Sequence, residues 1–273
     1  MTVRAETRNM ALFCDFENIA LGVRDANYEK FDIGKVIERL LLKGNIVVKK
    51  AYCDWARYKE FKAAMHEASF ELIEIPHVRQ AGKNSADIRM VVDALDLCYT
   101  KEHVDTFVVI SGDSDFSPLV SKLRENDKIV IGIGVKNSTS DLLIANCDEF
   151  IYYDDLVRPQ PARKKTAGKA GGRKPAPGAA AKAPKTGKDK KQEAWDLIVE
   201  TYEALIEERG EGEKIWGSMI KQTLKRRKPG FSESYYGFRS FSQLLEEAEA
   251  QGILDLERDE KSGGLIIRSC HVS

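Results

Sequence analysis

The sequence predicts an α/β fold, a mainly parallel sheet with helices on both faces, followed by a smaller winged-helix-like domain. Three observations carry this. Short apolar runs alternate with helix-period segments over residues 10–153; residues 158–191 hold no Val, Ile, Leu, Met, Phe, Trp or Tyr; and beyond them helix-period segments precede a short apolar hairpin.

Residues 10–14 open the first part as an apolar run with no polar alternation, which suits a strand buried on both faces. Further strands are predicted at 46–52, 70–75, 106–110, 129–133 and 150–153. Helices are predicted between them at 33–42, 55–68, 86–99, 118–126 and 139–146. This order implies βαβ units, whose sites form beyond the carboxyl ends of the strands. In the last part, Trp195, Ile198, Val199, Tyr202, Leu205 and Ile206 recur at helical spacing, and further helices are predicted at 216–225 and 238–250. Gly252 closes the last helix, and 253–256 pairs with 265–267 across a turn that includes Gly263 and Gly264. Helices followed by a two-stranded wing form a winged-helix plan.

The whole chain is neutral, with 43 Lys and Arg against 43 Asp and Glu, yet its charge is partitioned. Residues 1–157 carry 20 basic and 26 acidic side chains, net −6; residues 158–191 carry 12 and 1, net +11; residues 192–273 carry 11 and 16, net −5. The basic block, rich in Ala, Pro, Gly and Lys, lacks the apolar surface that would offset its ordering entropy and is expected to be a disordered linker between two domains. No apolar run nears the roughly 18 to 20 residues that span a bilayer, and the first ten residues are polar, so a cytoplasmic protein is expected. The five cysteines are odd in number and form no CxxC pair, and the four histidines show no ligand spacing. Reduced, mostly buried thiols are therefore expected, and any metal would be held by oxygen. Gly132-Ile133-Gly134 lacks the spacing of a phosphate-binding loop.

The acids fall at strand ends. Asp15 follows the first strand, Asp113 and Asp115 follow the strand at 106–110, and Asp87 opens the preceding helix. Carboxylates gathered in a dry sheet edge repel one another unless cations neutralise them, and an all-oxygen set suits Mg²⁺ or Mn²⁺. The competing reading is that each acid caps a helix or turn, with Asp115 capping the helix that follows it.

Cys14-Asp15-Phe16-Glu17-Asn18, then Lys83-Asn84-Ser85-Ala86-Asp87 with Asp93 on the same helix, then Ser111-Gly112-Asp113-Ser114-Asp115-Phe116 resemble the three signature segments of NYN domains, the PIN-like, metal-dependent ribonucleases. The resemblance implies a PIN-like, Rossmann-like sheet and an acidic site of Asp15, Asp87, Asp113 and Asp115 that binds Mg²⁺ or Mn²⁺. It further implies that Asn18 orients the first acid and that Lys83 meets a phosphate, with Asp93 and Ser111 as secondary members. Lys228-Pro229-Gly230-Phe231-Ser232 and the run from Tyr236 to Leu245 look like an OST-HTH (LOTUS) domain, a winged-helix-like module associated with RNA or a protein partner. Tyr236, Phe238, Phe241, Leu244 and Leu245 are expected mostly in its core. Lys225, Arg226, Arg227 and Lys228 read either as an RNA contact or as a solvated helix end, and Arg163, Lys164 and Lys165 lie in the basic block. The expected protein is a metal-dependent ribonuclease at 1–157, a linker at 158–191 and an RNA-positioning module at 192–273. The alternative is a non-catalytic RNA-binding adaptor whose last domain recruits a protein; a third reading keeps the metal and changes the substrate to DNA or a small phosphate ester.

Overall fold

The computed structural model describes residues 8–75, 85–157, 187–209, 214–259 and 263–271. Its main sheet has six strands in the order β3-β2-β1-β4-β5-β6, and every neighbouring pair is parallel. The strands are β1 (Arg8–Asp15), β2 (Gly44–Cys53), β3 (Glu71–Glu74), β4 (Thr106–Ile110), β5 (Ile129–Gly134) and β6 (Glu149–Tyr152). Helices α1 (Phe16–Asp25), α2 (Ile33–Leu41), α3 (Lys59–Glu67), α4 (Ser85–Thr100), α5 (Ser117–Glu125), α6 (Asp141–Asn146) and α7 (Tyr153–Val157) complete this part, with a 3₁₀ turn at Ser114–Phe116.

The period of two along β1 sorts its side chains between the two faces. Met10, Leu12 and Cys14 enter one core with Ile19, Val23, Val36, Leu40 and Met65 from α1, α2 and α3. Ala11 and Phe13 enter the other with Met90, Ala94, Leu119, Leu123 and Leu143 from α4, α5 and α6. Both faces of β1 are therefore dry, which is why its sequence shows no polar alternation. Phe16 anchors the turn out of β1: its ring lies 4.9 Å from Trp55, 5.0 Å from Phe61, 5.6 Å from Tyr58 and 5.9 Å from Phe31 between centroids. That cluster fixes the backbone on which Asp15 sits.

Three predicted helices begin later than their apolar period suggests. α3 starts at Lys59 because Trp55 is drawn into the Phe16 cluster while Asp54 holds a turn through Ala56 N, 3.0 Å away. α6 starts at Asp141, where Ser140 accepts from Leu142 N at 3.2 Å. The third C-terminal helix starts at Phe241, capped by Ser240, which accepts from Gln243 N at 3.2 Å. α1 and α7 were not predicted; both begin at the residue after a strand, leaving no polar linker to mark the change. Gly132 and Gly134 lie inside β5, and a Cβ on Gly132 would meet the Phe150 ring at 2.3 Å. Close packing explains the glycine at 132 without a phosphate.

The described residues form two compact units, one made of those up to Val157 together with Gln222–Ser232, the other of the remaining described residues from Gly187 on. The second part of the chain contains α8 (Gly187–Arg209), β7 (Ile215–Trp216), α9 (Gly217–Arg227), α10 (Phe241–Ala250), β8 (Leu254–Arg258) and β9 (Leu265–Cys270). Its sheet is antiparallel in the order β7-β9-β8, so the predicted hairpin gains a short third strand. α8 starts five residues before the expected end of the linker, and residues 158–186 lie outside the described residues. Tyr236, Phe238, Phe241, Leu244 and Leu245 are all buried, as expected of core positions. Four of the five cysteines are buried and all are free thiols. Among the described residues no helix is long and apolar enough to cross a membrane.

Candidate active site

β1 pairs with β2 on one side and β4 on the other, and the chain fills the sheet outward from this pair in both directions. The connections leaving β1 and β4 diverge, so a crevice opens at their carboxyl ends. Asp15 is the last residue of β1, and Ser111-Gly112-Asp113 directly follows β4. The two acidic segments, 96 residues apart for Asp15 and Ser111, meet there.

A hydrogen-bonded chain ties the two strand ends together. Asp15 accepts from Asn18 N at 3.3 Å and from Ser111 Oγ at 3.0 Å. Ser111 Oγ accepts from Asp113 N at 3.2 Å, and Asp113 in turn accepts from Asp115 N at 3.0 Å. Asn18 Oδ1 closes the ring by accepting from Gly112 N at 2.9 Å. Gly112 is required by close approach, because a Cβ there would lie 2.6 Å from Ser138 O. Asp15 and Asp113 thus serve as N-caps, of α1 and of the 3₁₀ turn, whereas α5 is preceded by Phe116 and takes no side-chain cap from Asp115.

Capping does not discharge the electrostatic load. Asp15 is 8 % exposed, and burial first, then the Asp87 carboxylate, push its pKa up from 3.8 to about 7; Asp113 adds to this, while the bonds from Asn18 N and Ser111 oppose it. Asp87, in the first turn of α4, is also raised, by burial and then by Asp113, Asp115 and Glu17. Among the described residues, the charged groups that act on Asp87 are therefore all acids. Glu17 was not singled out from the sequence; its position two residues after Asp15 in the first turn of α1 was the available signal, and it pairs with Arg57 at 3.5 Å.

The donor set suits a hard divalent cation, being carboxylate and amide oxygen with charges that disfavour one another. Among the described residues no three His, Cys, Asp or Glu side chains form a group closed tightly enough to ligate an ion by themselves. An ion that keeps most of its water, as Mg²⁺ does, needs only one or two protein carboxylates, so the open arrangement and the chemistry are compatible.

Asp93 is placed elsewhere. It accepts from Tyr52 Oη at 2.9 Å and pairs with Lys50 at 3.3 Å and Arg89 at 3.1 Å, a neutralised network against β2. Six residues past Asp87, it has turned away from the crevice along α4. Lys83, Arg163, Lys164 and Lys165 lie outside the described residues. Lys225, near the end of α9, lies 3.7 Å from Glu149, which Lys43 also pairs with at 2.8 Å; Arg226, Arg227 and Lys228 are exposed.

The NYN domain family matches residues 9–154, more than half of the chain, and the chain belongs to that family, part of the PIN-like nuclease superfamily. An uncharacterized protein of Methanocaldococcus jannaschii is 31 % identical over 112 residues, 41 % of this chain and 43 % of that protein. Meiosis regulator and mRNA stability factor 1 of Xenopus tropicalis is 24 % identical over 155 residues, 56 % of this chain and 9 % of that protein. The chain thus spans less than half the length of these curated relatives. A crystal structure of a Vibrio parahaemolyticus protein of unknown function aligns with a TM-score of 0.50 and 26 % identity, covering 56 % of this chain and 97 % of its own.

Proposed function

We propose that the protein is a metal-dependent ribonuclease that hydrolyses RNA phosphodiester bonds. The observation that carries the reading is the crevice between β1 and β4, where Asp15, Asp87, Asp113 and Asp115 meet and where burial first, and neighbouring carboxylates second, push Asp15 and Asp87 up. An anionic crevice repels a phosphate backbone unless cations enter it, which favours a cation as part of the site. Asp15, Asp87, Asp113 and Asp115 would hold Mg²⁺ or Mn²⁺, which would supply Lewis-acid activation and charge neutralisation for in-line hydrolysis. Ser111 and Asn18 orient Asp15 and lock the loop after β4, so the first acid is held before substrate arrives. RNA as substrate is supported by the family and by the mRNA stability named for the Xenopus relative.

The C-terminal helices and the β7-β9-β8 sheet, with the Tyr236–Leu245 run in their core, support reading that part as an OST-HTH (LOTUS) module that positions RNA. Exposed Arg226, Arg227 and Lys228, with Arg163, Lys164 and Lys165 of the basic block, would give sequence-blind attraction to phosphates. A second reading, a non-catalytic RNA-binding adaptor, has its own observation: Asp15 and Asp113 already serve as caps, and no closed ligand group is present among the described residues. Incubating the full chain with labelled single-stranded RNA in Mn²⁺, Mg²⁺ or EDTA separates the two. Metal-dependent cleavage that Asp113→Asn abolishes supports the enzyme; binding without cleavage supports the adaptor. Single-stranded DNA in parallel tests the choice of RNA.

A further inference from the structure

Beside the acids lies a groove of about 720 Å³ that their chemistry does not explain. Asp87 and Asp115 stand in its lining, so it is continuous with the crevice. One wall is the α4 face of Ile88, Val91 and Val92, at i, i+3 and i+4; Leu142 of α6 contributes too. Ile88, Val92 and Leu142 are 64 %, 55 % and 58 % exposed, an apolar surface left open to water next to Asp87 and Asp115. The opposite wall carries hydroxyls, from Ser114, Ser117 and Ser121, and among the described residues no Lys or Arg lines the groove.

Ser117 supplies an independent observation. It is 6 % exposed, lines the groove, and its Oγ is buried with no hydrogen-bond partner among the described residues. An orphaned buried hydroxyl is destabilising, and a ligand with a polar edge would relieve it. Ser121, one turn further along α5, bonds weakly to Asn146 at 3.3 Å. Apolar contact along one wall, hydroxyls along the other and phosphate chemistry at one end together describe the shape of a nucleotide, base outward from the phosphate.

We propose that this groove is a subsite for one unpaired nucleobase next to the phosphate that the acids address, with Val92 and Leu142 against the base and Ser117 bonding its edge. Its occupant is single-stranded RNA, because a base held in a duplex presents neither its faces nor its pairing edge. The inference rests on the proposed phosphodiester site, and its test is kept separate from cleavage.

Single-stranded RNA carrying 4-thiouridine is cross-linked to the full chain by long-wavelength light in EDTA, and the attached peptides are mapped by mass spectrometry. Cross-links are expected on 85–100, 114–125 and 141–146. Val92→Asp and Leu142→Asp, at exposed positions and checked for folding by circular dichroism, should each reduce them roughly tenfold. Ser117→Ala should raise the melting temperature of the free protein and reduce cross-linking severalfold; a merely structural serine would give the first effect without the second. Cross-links confined to other peptides, or unchanged in both Asp variants, overturn the proposal. So does a Val92→Asp protein that changes its mass in sedimentation while cross-linking as before, since the face would then join two copies of this chain. Cross-links here without metal-dependent cleavage would sink the nuclease and keep the subsite; cleavage without these cross-links would do the reverse.

Discussion

Asp87 and Asp93 stand on the same helix, six residues apart, and their surroundings are opposite. Asp93 is surrounded by Tyr52, Lys50 and Arg89, so its charge is matched within the fold. Asp87 faces Asp113, Asp115 and Glu17, so among the described residues its charge is opposed. Matched acids of the first kind hold α4 to β2; opposed acids of the second kind cost stability in isolation, which is what marks Asp87 as a candidate for function.

The largest expected effect separates the two directly. Asp87→Asn should lower kcat/KM for RNA cleavage by roughly 100-fold or more, while Asp93→Asn stays within about twofold of the parent. The order reverses for stability. Asp93→Asn leaves Lys50 and Arg89 without their shared partner and should cost about 1–3 kcal/mol in urea unfolding, whereas Asp87→Asn in metal-free protein should be neutral or stabilising. A catalytic loss in Asp93→Asn, or a stability loss in Asp87→Asn, breaks the comparison.

A smaller effect appears in pH. Asp15 titrates near 7 in the fold against 3.8 as its ordinary value, so between these limits the folded state binds the extra proton. The stabilisation is complete below about pH 3.8 and is lost as pH rises toward 7 and beyond. Metal-free protein should therefore show a melting temperature that falls from this site as pH rises across that window, and Asp15→Asn should flatten the slope. The smallest effect concerns the exposed cations: replacing Arg226 and Lys228 with Gln should reduce the salt slope of single-stranded RNA binding by about 1.4 in log–log terms if both contact phosphates, and by nothing if they are a solvated helix end.

Much of this was legible in the sequence where local chemistry is decisive. Apolar runs without alternation gave the buried parallel strands, and acids at strand ends gave the crevice. Asp93 could not be placed that way, because six residues along a helix is a turn and two-thirds, and only the neighbouring β2 side chains decide where it points. Glu17 was overlooked beside Asp15 because its charge acts on Asp87, 70 residues away along the chain, only once the fold is formed. Trp55 hid the late start of α3, since its apolar character suits both a helix face and the Phe16 cluster. The groove was invisible for the same reason: the exposure of Ile88, Val92 and Leu142 emerges only from the packing of α4, α5 and α6.

The central claim is that the opposed acids are completed by a divalent cation. Mn²⁺ binding to the full chain, followed by electron paramagnetic resonance of the free ion, tests it without any need for turnover. Saturable binding is expected, retained by Asp93→Asn and weakened roughly tenfold or more by Asp87→Asn. Equal binding by the two variants, or none by the parent protein, would contradict it.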